Sequence, residues 1–182
     1  MRLRTTSLLV AVLLLEHVLE HVVSARADTL PGSFRAQEAI VLCHSAAGEA
    51  DRATKVSLLD RGLALAEASV ATDDADAAGH FAVFCNLGRR LQLGPLGWGS
   101  LMGISRVRRA IDRALALVPD SAQLLTAKGV MLLELPRLLG GDTAEGQRLL
   151  RRALEVAPGF ADAEEALAAH AGGARSVASV RR

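Results

Sequence analysis

The chain has 182 residues with 21 basic and 20 acidic side chains, enough for one sizeable core and too balanced for a protein that binds nucleic acid through bulk charge. Tyrosine is absent and aromatics make up 3%, while alanine and leucine dominate, a composition that favours closely packed helices over strands. The two cysteines, Cys43 and Cys85, exclude a disulfide framework but leave room for one bridge in an oxidising compartment.

At the N-terminus, Arg2 and Arg4 precede an uncharged, mostly apolar run from Thr5 to Leu15, and Ala25-Arg26-Ala27 follows as a small-x-small pattern. That order of features reads as a signal peptide over residues 1–27, cut after Ala27. Its removal takes away Arg2, Arg4, Arg26, Glu16 and Glu20, leaving 18 basic against 18 acidic side chains. An uncleaved segment attached to a membrane is the alternative location, although eleven uncharged residues fall short of the roughly twenty a spanning helix needs. The same stretch spells His17-Val18-Leu19-Glu20-His21, an inverted zinc-peptidase pattern. On a helix His17 and His21 share a face, and Glu20 would act as general base for a zinc hydrolase. Sixteen preceding residues cannot supply the third ligand and scaffold that such a site needs, so export is preferred and no metal or cofactor is expected.

Helix-length pieces follow. The first covers Phe34–Gly48. The second, Asp51–Ala71, carries Val56, Leu59, Leu63 and Ala66 at helical spacing. The third covers Asp76–Gln92, with Asp73, Asp74 and Asp76 at its start, where the helix dipole favours them. A glycine-rich stretch, Gly94–Gly103, reads as a loop. The fourth helix runs from about Ile104 to Val118. Asp120 and Gln123 have capping-box spacing ahead of the fifth, which Pro136 should kink or end. Gly140-Gly141-Asp142 marks a break, and Asp142 with Glu145 forms a second capping box before a sixth helix that runs to Ala157. A seventh covers about Ala161–His170. Residues 28–171 form one helical domain, and residues 172–182 read as a flexible tail.

Two segments repeat. Arg108–Asp120 aligns without gaps on Gln147–Gly159, matching Ala114 to Ala153, Leu115 to Leu154, Ile111 to Leu150 and Pro119 to Pro158. In the helices before them, Phe84 and Gly88 correspond to Leu125 and Gly129. This pattern of bulky residue, glycine, close-packed alanine and closing proline resembles the tetratricopeptide repeat. The resemblance implies an all-α array of about three helix pairs, with insertions between the helices of a pair at "QLGPLGWGSLMG" and "LPRLLGGD". The LP-x-LLGGD junction is also similar to the T component associated with periplasmic TRAP transporters. That likeness implies a periplasmic protein that docks with a solute-binding partner and holds an apolar ligand.

Candidate sites are few. Trp98 either anchors a ligand mouth or partner surface from a mobile loop, or fills a gap between helices. Arg106, Arg109 and Arg113 share a face of the fourth helix and suit an anionic ligand or acidic partner, though solvated ion pairs such as Arg151 with Glu155 are the plainer use of such residues. Cys43 and Cys85 fall on helices that would lie side by side in a repeat array, where a bridge is geometrically reasonable. A metal site from Cys43, His44, His80 and Cys85 is disfavoured because adjacent helical residues diverge. No nucleophile motif is present, so catalysis is not expected. The sequence therefore reads as an exported scaffold for a protein partner, with binding of an apolar small molecule as the alternative.

Overall fold

The structure is a computed structural model that describes residues 30–94 and 98–180, without the side chains of residues 98–100 and those beyond His170. The proposed signal segment, including His17, Glu20 and His21, lies outside the described residues, where every regular element is helical. The order is α1 (Phe34–Gly48), α2 (Arg52–Thr72), α3 (Ala77–Gln92), α4 (Trp98–Leu117), α5 (Ala122–Glu134), a 3-10 turn (Arg137–Leu139), α6 (Thr143–Val156) and α7 (Ala161–Val180).

Local chemistry sets most of these boundaries. Ser33, Asp51, Asp76, Ser121 and Asp142 are N-caps whose side chains accept from the first-turn amides of α1, α2, α3, α5 and α6, each worth about 1 kcal/mol. The cap of α5 is Ser121 rather than Asp120, whose carboxylate accepts instead from Arg152 at 3.0 Å. Asp142 caps α6 as expected, but Glu145 does not complete the box. It pairs with Arg148, while the Asp142 amide donates to the Leu132 carbonyl at 3.0 Å. Helices α4 and α6 end two residues before Pro119 and Pro158, and α5 ends ahead of Pro136. The following turn closes on Gly140, at φ 87°, a conformation glycine adopts without Cβ strain.

Two elements are longer than the sequence suggests. Helix α4 starts at Trp98 instead of near Ile104. Gly103 is there for packing: a Cβ on it would come within 2.7 Å of Leu91, so its absence lets α4 lie close on α3. Helix α7 continues to Val180, through the segment read as a tail. Its alanines offset the roughly 1 kcal/mol that each of Gly172 and Gly173 costs inside a helix.

Consecutive helices pack on one another, and α1 also lies directly against α3. That contact is bound by three devices. Cys43 of α1 is disulfide-bonded to Cys85 of α3, with Cα atoms 6.1 Å apart. The wholly buried Asn86 donates to the carbonyls of Ala39 and Ala82 at 3.0 and 2.9 Å. Asp76, also buried, accepts from the amides of Ser33 at 3.0 Å and Gly79 at 2.7 Å and from the Ser69 hydroxyl. Burial alone would raise the Asp76 carboxyl. The hydrogen bonds from Ser69, Ser33 and Gly79 outweigh it and hold the group below the ordinary carboxylate value.

Helices α5 and α6 cross closely. A Cβ on Gly129 would meet the Gly146 carbonyl at 3.0 Å, and one on Gly146 would meet that of Gly129 at 2.8 Å. Ile111 and Ala114 of α4 and Leu150 and Ala153 of α6, the residues matched in the sequence alignment, are all fully buried. In contrast to α1 and α3, helices α3 and α5 share no substantial interface. A groove opens between them.

Candidate ligand groove

The groove encloses about 750 Å³, within the range of roughly 300–1,000 Å³ typical of ligand sites. Helix α3 supplies one wall through Phe81, Phe84 and Gly88, and α5 supplies the other through Thr126, Val130 and Met131. Ile104 and Val107 of α4 lie between them, and Leu135, Pro136 and Leu139 form a lip. The Phe81 and Phe84 rings stack with centroids 6.0 Å apart, giving the α3 wall a flat aromatic surface.

The lip is an ordered turn. Pro136 stops α5, the amides of Gly140 and Gly141 donate to the carbonyls of Arg137 and Pro136, and the Arg108 guanidinium donates to the Gly140 carbonyl. The LP-x-LLGGD segment thus presents three apolar side chains to the groove from a hydrogen-bonded frame. Leu138, between them in sequence, points outward and is almost wholly exposed.

Polar groups are sparse and specific. Thr126 is 6% exposed, and its hydroxyl has no hydrogen-bond partner among the described residues. A buried unpaired hydroxyl costs about 1–3 kcal/mol, and this oxygen is covered within the α5 wall rather than open to the groove. A second unpaired buried side-chain atom among the described residues, Asn86 Oδ1, lies against Gly62, where a Cβ would come within 2.2 Å. It faces a closed helix contact and not the groove. Around the rim stand His44 on α1, Arg89 on α3, Glu134 at the end of α5 and Asp162 at the start of α7.

The residues singled out in the sequence fall in different places. Phe84, Gly88 and Cys85 line the groove, whereas Gly129 is buried in the α5–α6 crossing. Trp98 is the first residue of α4, and its side chain lies outside the described part. Arg106 pairs with Glu67 of α2, and Arg113 reaches Asp74 in the α2–α3 turn at 2.5 Å. These two arginines brace α4 against earlier helices. Arg109 is exposed and makes no salt bridge among the described residues. Glu155 pairs with Arg152 at 3.0 Å, and Arg151 donates to Gln147 instead. His80 contacts the Asp74 carbonyl at 3.0 Å, away from His44 at the groove.

Sequence reasoning passed over Thr126, Val130, Met131 and Arg89. Thr126 and Val130 are four apart and share one face of α5, and Met131 reaches the groove from its flank. The available signal was a threonine within an otherwise apolar helical stripe. Comparison with protein-family models gave no match, and comparison with curated proteins gave no relative.

Proposed function

We propose that the chain is an exported tetratricopeptide-like scaffold whose groove between α3 and α5 receives a segment of a protein partner. The groove itself carries the reading: an open, largely apolar trough bordered by alternate helices, the kind of surface that helical arrays use for recognition. Support for the repeat architecture comes from the equivalent burial of Ile111 with Leu150 and Ala114 with Ala153, and from the matched helix ends before Pro119 and Pro158. The Cys43–Cys85 bridge suits an oxidising compartment such as the periplasm. An accessory role in periplasmic solute uptake is the specific form that the likeness to the TRAP-associated T component favours.

A photocrosslinking amino acid at Val130, in the groove, and at Glu164, on the outer surface of α7, tests this in the native host. The expected result is one discrete protein adduct from position 130 and none from 164. Equal labelling at both positions would remove the groove from consideration as the recognition surface. The intact mass of the native protein tests export, with a chain that starts at Asp28 as the expected form.

A second reading, an apolar small molecule in the same groove, is favoured by its volume of about 750 Å³ and its largely apolar lining. Native mass spectrometry would show it as a co-purifying mass that is lost on denaturation.

A further inference from the structure

The charges around the groove carry information about its occupant. The side formed by α1 and α3 presents His44 and Arg89, and the side formed by α5 and α7 presents Glu134 and Asp162. Arg89, Glu134 and Asp162 are exposed. None makes a salt bridge within 4.0 Å among the described residues, whereas Arg90, next to Arg89, is held by Asp60 at 2.9 Å. Arg89 thus stands on one wall and Glu134 and Asp162 on the other, with a largely apolar surface between them that Gln92 and Gln123 interrupt.

We infer that the groove is built for an extended polypeptide segment that crosses the helices, with an acidic residue at Arg89, an apolar centre and a basic residue at Glu134 and Asp162. This rests on the reading of the groove as a recognition surface and adds the chemistry of the partner. A fatty acid satisfies Arg89 alone, leaving two carboxylates facing its tail. A polypeptide supplies partners for both charges. Packed helix axes lie about 8–10 Å apart, α3 and α5 stand further apart than that because they do not pack together, and an extended chain rises about 3.3 Å per residue. Crossing from α3 to α5 or α7 therefore separates the acidic and basic side chains by more than about three residues.

The test is fluorescence anisotropy on the mature chain with its disulfide intact, using labelled peptides with one shared apolar centre and different ends. One carries an acidic and a basic end, a second two acidic ends, a third two basic ends and a fourth neutral ends. Dodecanoic acid is the small-molecule probe. The mixed-charge peptide should bind tightest, by roughly five-fold for each correctly placed charge. Arg89→Glu should erase the preference for the acidic end and Glu134→Arg should weaken that for the basic end. The exposed position of both charged residues keeps these variants folded, which far-ultraviolet circular dichroism verifies. If the neutral peptide binds as tightly as the mixed one, the charge assignment fails while the groove survives as a recognition surface. Binding of dodecanoic acid with no peptide bound makes the occupant an amphiphile and overturns the proposal. Failure of every probe, together with equal crosslinking at positions 130 and 164, would discard the underlying reading as well.

Discussion

Removal of the Cys43–Cys85 bridge, by a Cys43→Ala/Cys85→Ala double replacement, perturbs the structure where α1 meets α3. The cysteines are 42 residues apart in sequence. Closing a loop of that length in the unfolded chain lowers its conformational entropy by an amount worth about 4 kcal/mol at 25 °C. Alanine avoids placing a hydroxyl in the small cluster that both sulfurs share with Ala46 and Leu59. Urea denaturation of the oxidised protein and the double variant should therefore differ by about 4 kcal/mol. For a chain of this size that corresponds to a fall in melting temperature of about 8–16 °C. The m-value should rise in the variant, because an uncrosslinked unfolded chain exposes more surface. Alkylation of the denatured, unreduced wild type should add no mass, since both sulfurs are occupied. A loss below about 1 kcal/mol with the bridge shown intact by that alkylation would refute the reasoning, because the crosslink would then scarcely restrict the unfolded state.

Thr126→Val should raise the stability of the unliganded protein by about 1 kcal/mol in the same denaturation assay, since it replaces an unpaired buried hydroxyl with a methyl of similar size. Asp76→Asn should cost about 1–3 kcal/mol at pH 7, because one amide oxygen cannot replace both carboxylate oxygens that receive Ser33, Ser69 and Gly79. The Asp76 carboxyl is lowered in the folded state from its ordinary value of 3.8, so its contribution is fully present above that value and is lost as pH falls through the lower folded one. Melts between pH 5 and pH 2 should accordingly show a shallower acid loss for Asp76→Asn than for wild type. Gly146→Ala should destabilise by about 1–3 kcal/mol, as the new methyl meets the Gly129 carbonyl at 2.8 Å and the Leu133 side chain at the same distance.

Helix boundaries were legible wherever a short-range signal sets them. Asp51, Asp76 and Asp142 cap the helices they precede, and Pro119, Pro136 and Pro158 stand just beyond helix ends. The start of α4 was not legible, because the glycines from Gly97 to Gly103 carry a loop signal and the reason for Gly103 is Leu91 on another helix. Ion pairs went astray for the same reason. Arg106 and Arg113 stand out as an open cationic face when only their own helix is considered, yet Glu67 and Asp74, about forty residues earlier, engage them. The groove was the least visible feature. It arises from the separation of α3 from α5, a property of no single segment.

That separation nonetheless has a cause in the residues. In the alignment that matches Phe84 to Leu125 and Gly88 to Gly129, Cys85 falls on Thr126 and Asn86 on Ala127. At the first junction Cys85 bonds to Cys43 and Asn86 reaches the Ala39 carbonyl, so α3 is fastened to α1. At the second, the equivalent positions hold a threonine whose hydroxyl finds no partner among the described residues and an alanine with nothing to offer across a gap. The next helix is held to the rest through α4 and α6 instead, and the space that the missing fastenings would have closed is lined by the same two rows of side chains. A Thr126→Cys or Ala127→Asn replacement alone would not close it, because each fastening at the first junction needs its counterpart on the facing helix. The groove is thus a junction between helices left open, and Thr126 and Ala127 are the two positions on α5 where a fastening like that of Cys85 and Asn86 is missing.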